Sequence, residues 1–392
     1  MSKRKLSTSD PPQKKAQEEV KVEGPNTAAV LVKEHELVLK DIAMPQSPGK
    51  NQVLVAMKAV GICGSDVHYW THGRIGDFVV KAPMVLGHES AGQVVAIGEG
   101  VSNVAVGDKV ALEPGVPCRS CEHCRVGNYN LCPDIRFFAT PPIDGSLARF
   151  VLHPADYCFK LPDPLTYEHG ALCEPLSVGV YACQRAHVGP GSRVAVFGSG
   201  PIGLIVMMVA KAFGATEVYM TGSLEVLIPW EDIADDRIKA ATKYGATKAI
   251  NAGKKSAEEL SNEVIKANEG KRVDVAFECC GVESATQASI MCTKSGGTVC
   301  LIGMGKPVMS VPILDASIRE VDIRGIFRYR NTYPTCISLL ASGKVKAADL
   351  ITHRFSMKEL VTGFETAKTG KVGSLCVMAV SQDGAIKVMF NL

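Results

Sequence analysis

The sequence predicts an α/β protein in which a doubly wound parallel sheet is joined to an irregular antiparallel, barrel-like domain. Two observations carry this expectation. In the middle of the 392-residue chain, short apolar strands alternate with helical patterns. Ahead of that stretch, β-like runs follow one another closely, separated by Gly, Pro and Asp turns. Composition agrees: 46% apolar residues and 37 Gly suit a globular chain and exclude a disordered one. With 43 basic against 40 acidic residues, a dedicated nucleic-acid binder is also excluded. No uninterrupted apolar run reaches the ~18 residues that span a bilayer.

In chain order, residues 1–26 are polar and carry no apolar period, which reads as a disordered tail. Lys3-Arg4-Lys5 and Lys14-Lys15 within it read as a solvated charge cluster ahead of a nuclear-import signal, and no secretory pattern is visible. From Ala28 to about Ala155 come the barrel-type runs, among them Val53–Val60 and Gln93–Ile97. From Arg193 the rhythm is strand–helix–strand. The strands are Arg193–Phe197, Glu217–Met220, Val273–Phe277 and Thr298–Ile302, and the helices Ile202–Phe213 and Ser284–Thr293. After Arg319 the texture is mixed and ends in Ser374–Val380, a strand expected to rejoin the first domain. The expected division is therefore 27–185 with 319–392 for the barrel-type domain, and 186–318 for the parallel sheet.

Between the strand at Arg193 and the helix that follows stands Gly198-Ser-Gly200-Pro201-Ile202-Gly203. Gly198 permits the tight turn, Gly200 lets the backbone approach a pyrophosphate, and Gly203 allows close strand–helix packing. The phosphates then meet the free N–H groups of the helix N-terminus. An acidic residue about 20 positions on is expected to hold the adenosine ribose. Here the segment Gly222–Glu231 interrupts the pattern as a ten-residue insertion, either a surface loop or an artefact of sequence assembly. With the insertion set aside, Asp232 takes the ribose and Arg237 follows it, which favours NAD over NADP. Glu225, Glu231 or no carboxylate at all are the alternatives.

The chain has 14 cysteines, which without a secretory signal read as thiols or metal ligands in a reducing compartment. Cys118, Cys121, Cys124 and Cys132 fall within 15 residues of a Gly/Pro/Asn-rich loop. Four close thiolates leave no open coordination position, so this is a structural zinc site. His123 inside it reads as a solvated loop residue. A second group is dispersed: Cys63, His88-Glu89 and Glu174. A Cys, a His and a carboxylate with one position open would make a catalytic zinc, although spacing alone does not establish it. Cys158, Cys173, Cys183, Cys279, Cys280, Cys292, Cys300, Cys336 and Cys376 read as small buried hydrophobes. His153, His169, His187 and His353 read as ordinary structural residues.

Three stretches carry a resemblance: Gly61 to Glu89, Phe137 through Gly179, and Gly198 to Gly203. Together they resemble the zinc-dependent medium-chain dehydrogenases. Val67-His-Tyr-Trp, Gly73-Arg-Ile-Gly and Gly325-Ile-Phe-Arg328-Tyr329-Arg-Asn-Thr-Tyr-Pro resemble the polyol branch: sorbitol, xylitol and L-arabinitol dehydrogenase. The likeness covers roughly Val30 to Val380. It implies a GroES-like catalytic domain, a Rossmann domain, NAD, catalytic and structural Zn2+, and a cytoplasmic homotetramer. It further implies that Cys63, His88 and Glu89 hold the catalytic zinc, with Glu174 reaching it directly or through water. Ser65 would relay the hydroxyl proton, and Tyr69, Glu174, Arg328 and Tyr329 would meet the polyol. The implied reaction is oxidation of a secondary hydroxyl of a sugar alcohol to the ketose. The rivals are another zinc alcohol or threonine dehydrogenase, and a non-catalytic nucleotide-binding regulator of the same fold. Neither nucleic acid nor membrane is an expected partner.

Overall fold

The structure, a computed structural model, describes residues 23–222, 241–369 and 385–392. Asp232, Arg237, Glu225, Glu231, Cys376, the expected strand Ser374–Val380 and the tail up to residue 22 lie outside the described residues.

Six parallel strands lie in the order Lys248–Asn251, Glu217–Gly222, Arg193–Phe197, Val273–Glu278, Thr293–Leu301 and Asp322–Gly325. In chain order that is 3-2-1-4-5-6, a doubly wound sheet whose direction of progression reverses beside Arg193–Phe197. Val194, Ala195, Val196 and Phe197 are fully buried, as expected of a strand covered on both faces. The fifth strand begins at Thr293, five residues before the expected Thr298. Lys294, Ser295 and Gly296 are exposed and carry no apolar signal. The sheet also runs to Gly325, past the boundary expected after residue 318. This last strand is a short, mostly exposed edge held by backbone pairing, so its residues lack an apolar pattern.

The other half is built on a seven-stranded sheet. Its longest strand, Gln52–Gly61, pairs along one edge with Glu89–Ile97. Its other edge carries Phe150–Pro154 on the first half and Lys387–Asn391 on the last residues. The strand that rejoins this domain from the chain end is thus Lys387–Asn391. The remaining strands are Lys109–Leu112, Cys158–Lys160 and Ile351–Ser356.

The helix Cys173–Arg185 ties the halves together. Ten of its 13 residues are buried, and it packs on the helices Pro201–Ala212 and Tyr333–Ala341 in one apolar cluster. Among the described residues no helix is long and apolar enough to cross a membrane.

Candidate active site

The antiparallel pairing of Gln52–Gly61 with Glu89–Ile97 places Gly61 opposite Glu89. Residues just after the first strand therefore face residues just before the second. Cys63 follows as the N-cap of the helix Gly64–His72, and His88 precedes the other strand. The Cys63 Sγ, one His88 ring nitrogen and one Glu89 oxygen all lie within 4.8 Å of one another. A β-carbon at position 61 would stand 2.1 Å from Glu89 Oε2, so only glycine leaves room for that carboxylate.

Each donor is oriented by a neighbour. Asp66 accepts the Cys63 N–H on Oδ2 and the Gly87 N–H on Oδ1, both at 3.0 Å. Its Oδ1 also lies 3.5 Å from His88 Nδ1, which leaves Nε2 free for a ligand. Burial opposes a charged His88, yet the adjacent Asp66 lifts its pKa well above the ordinary histidine value. The Lys387 ammonium, buried, donates to Glu89 Oε1 and to the Ile62 carbonyl at 2.9 Å. Glu89 Oε2 is buried with no hydrogen-bond partner among the described residues. A divalent cation would satisfy that orphaned oxygen, and the sulfur, imidazole and carboxylate set suits zinc.

Glu174 stands behind this group in the first turn of its helix, and the Tyr329 hydroxyl donates to it at 2.9 Å. Burial, with the like charge of Glu89 adding, pushes its carboxyl up to about 7 against the pull of His88. Tyr329 was expected at the substrate, but its phenol is buried and its hydrogen goes to Glu174. Ser65 is half-buried two residues after Cys63, in the first turn of the same helix. The Arg328 guanidinium lies 3.8 Å above the Phe137 ring and donates to Thr140 Oγ1 at 3.2 Å. Phe137 in turn packs on His88, their ring centroids 5.9 Å apart. Tyr69 is buried within electrostatic reach of both Arg328 and His88.

The four cysteines of the loop also converge, with all sulfurs within 4.8 Å and none in a disulfide. Cys121 and Cys124 sulfurs are 3.4 Å apart, and Cys118 and Cys124 sulfurs 4.0 Å. A tetrahedron with Zn–S bonds of about 2.3 Å has sulfur–sulfur edges of about 3.8 Å, so the set fits zinc. His123 stays outside the cluster beside Glu122. His153 is buried, its Nε2 2.8 Å from the Glu113 carbonyl. Cys280 departs from expectation: it is exposed, with its thiol on Glu278, because it sits on the turn after the fourth parallel strand.

At the nucleotide loop Gly198 has φ +111°, which side chains rarely adopt, and a β-carbon on Gly203 would lie 1.8 Å from the Gly198 carbonyl. Gly200 is the N-cap of Pro201–Ala212, with no side chain capping the helix and open space where a β-carbon would be. Its first N–H groups, with Ile202 partly buried beside them, thus remain available to a pyrophosphate. The residues fit a dinucleotide.

Asp66 and Lys387 were not among the residues singled out from the sequence. Asp66 was within reach as an acid three residues past a helix N-cap. Lys387 carried no such signal, being 298 residues from its partner.

Comparison with known proteins agrees with this geometry. Residues 49–163 match the alcohol dehydrogenase GroES-like domain, and residues 201–342 the zinc-binding dehydrogenase domain. The sorbitol dehydrogenase of Gallus gallus is 50% identical over 348 residues, 89% of this chain and 95% of that protein. The sorbitol dehydrogenase of Arabidopsis thaliana is 47% identical, covering 95% of this chain and 97% of its own. Among solved structures, L-idonate 5-dehydrogenase of Escherichia coli superposes with a TM-score of 0.81 at 27% identity. That match covers 94% of this chain and 99% of the other.

Proposed function

This chain belongs to the zinc-dependent alcohol dehydrogenase family, and we propose that it oxidises a secondary hydroxyl of a sugar alcohol to the ketose with NAD. The substrates are sorbitol, xylitol or L-arabinitol. The observation that carries the reading is one juxtaposition. The clustered Cys63, His88 and Glu89 donors meet, through Phe137 on His88, the guanidinium of Arg328, with Tyr69 within electrostatic reach of both His88 and Arg328. The sorbitol dehydrogenase relatives support the choice of a polyol.

When bound, zinc supplies a Lewis acid for the reacting oxygen, and NAD accepts the hydride. Cys63, His88 and Glu89 would hold the metal, with Glu174, positioned by the Tyr329 hydroxyl, reaching it directly or through water. Ser65 would pass the substrate's hydroxyl proton toward solvent. Arg328 and Tyr69 hydrogen-bond the other hydroxyls. A simple alcohol would leave those buried groups unpaired, which penalises it. Gly198, Gly200, Pro201, Ile202 and Gly203 seat the pyrophosphate, and Asp232 with Arg237 takes the adenosine ribose. Cys118, Cys121, Cys124 and Cys132 hold the structural zinc.

The two functional units are a catalytic one ending near 185 and resuming after the parallel sheet, and a nucleotide-binding one between. The protein works as a homotetramer in the cytoplasm. Exposed Met304, Val308, Ile313, Leu314 and Ile318, in the stretch that leads into the edge strand Asp322–Gly325, support self-association. The deciding assay is NADH absorbance with sorbitol, xylitol and L-arabinitol, with and without a chelator. Chelator-sensitive turnover is expected. Zinc-replete protein that reduces no NAD with any of the three would sink the reading.

A further inference from the structure

We propose that Tyr129 and Asn130, carried on the four-cysteine lobe, are positioning residues that set the segment Phe327–Asn331 and, with it, the guanidinium of Arg328. This rests on the reading of Arg328 as a hydroxyl-binding residue.

The segment is gripped at both ends by the lobe. Asn130 Nδ2 donates to the Phe327 carbonyl at 2.9 Å, and the Asn331 N–H donates to the Tyr129 hydroxyl at 2.7 Å. Between these contacts the backbone is one the chain does not choose by itself. Arg328 has φ +52° and Asn331 φ +53°, both left-handed in residues other than glycine. Such conformations persist where the surroundings over-determine them.

The lobe's own side of the grip is firm. The Tyr129 hydroxyl also donates to the buried Glu113 carboxylate at 2.7 Å, and its ring meets Tyr157 edge-on. Asn130 is 2% exposed, and its Oδ1 is buried with no partner among the described residues. An apolar side chain would spare that orphaned acceptor, so the residue's value lies in its donor.

Both residues lie between Cys124 and Cys132. The lobe has almost no apolar core to hold them: Glu122–Arg125 buries nothing, and Tyr129–Leu131 buries only Asn130. Their placement therefore follows from the convergence of the four thiols together with the anchoring of Tyr129 on Glu113 and Tyr157. A site that looks purely structural is thereby coupled, through two hydrogen bonds, to the residue that faces the polyol over Phe137.

The test uses the full-length, zinc-loaded protein and the variants Tyr129→Phe and Asn130→Leu. Amide hydrogen exchange reads the grip without any substrate, and exchange across 327–331 is expected to accelerate in both variants. In kinetics with sorbitol, loss of one such bond should raise KM for the polyol about three- to tenfold. KM for NAD and the zinc content per chain should hold. Combined with Arg328→Ala, each variant should add less than its separate effect. Exchange indistinguishable from wild type in 327–331 overturns the proposal. So does a parallel rise of both KM values with a fall in melting temperature, which marks a general defect. Wild-type protein inactive on every polyol would instead overturn the functional reading, and the exchange experiment would still decide this one.

Discussion

Asp66 offers the sharpest test of how the metal donors are held, through the change Asp66→Asn. The carboxylate serves three neighbours: the Cys63 N–H at Oδ2, and the Gly87 N–H and His88 Nδ1 at Oδ1. Asparagine keeps the shape but has one acceptor oxygen. If its NH2 takes the Oδ2 position, the Cys63 N–H loses its acceptor. Turned the other way, the Gly87 N–H loses its own, and the amide NH2 faces His88 Nδ1. The cheaper arrangement still leaves one buried donor facing another, a cost of about 1–3 kcal/mol. The negative charge beside the imidazole disappears as well. Outer-shell changes of this kind weaken metal binding about 10- to 100-fold, which is about 1.4–2.7 kcal/mol and matches that cost. The assay is zinc competition against a fluorescent chelator, read together with zinc per chain. The expected result is one weakened zinc and one unchanged zinc in the cysteine lobe. Weakening of less than about twofold would refute the reasoning, because it would mean that Asp66 orients neither Cys63 nor His88.

Two further perturbations follow from buried charges. Lys387→Met removes the ammonium from Glu89 and leaves a buried carboxylate unpaired, costing about 3–5 kcal/mol in zinc-stripped protein. The loss should shrink when zinc is loaded, since a second cation then faces the same carboxylate. Urea unfolding with and without zinc checks this, and a loss below about 1 kcal/mol in the stripped protein would count against it. Glu113 is raised by burial to about 7 from 4.5. The fold therefore prefers its protonated form. That contribution is complete below pH 4.5 and is lost as pH rises through 7, a change of about 3 kcal/mol. Glu113→Gln should thus gain on wild type by about that amount between pH 4.5 and pH 8 in urea unfolding. A wild-type-to-variant difference that is the same at both pH values would rule this out. His153 runs the other way: burial takes it down to about 4, so its share is complete above 6.5 and fades as pH falls.

What was legible in the sequence tracks how far apart in the chain the parts of each site lie. Gly198, Gly200 and Gly203 act within one turn, and the strand and helix that give them meaning are their immediate neighbours. The four cysteines close a loop of 15 residues, so spacing alone announced a metal. Cys63 and His88 are 25 residues apart, and only resemblance joined them in the sequence. The fold joins them by a simple rule. Where two antiparallel strands pair Gly61 with Glu89, whatever follows the first strand must meet whatever precedes the second. Had that register been readable, the donor set would have been derivable without any relative. Lys387 needs a further step, since its strand returns from the far end of the chain to the opposite edge of Gln52–Gly61, at the same Gly61 end. The apolar run Ser374–Val380, expected to return, lies outside the described residues; Lys387–Asn391 is shorter and opens on a charge, which gives it a weaker signal in the sequence. That lysine is the reason the strand matters to the site. It opens the strand at the position where a buried Glu89 needs a cation, so the pairing that carries the chain end back beside Gly61 also completes the metal site's electrostatics.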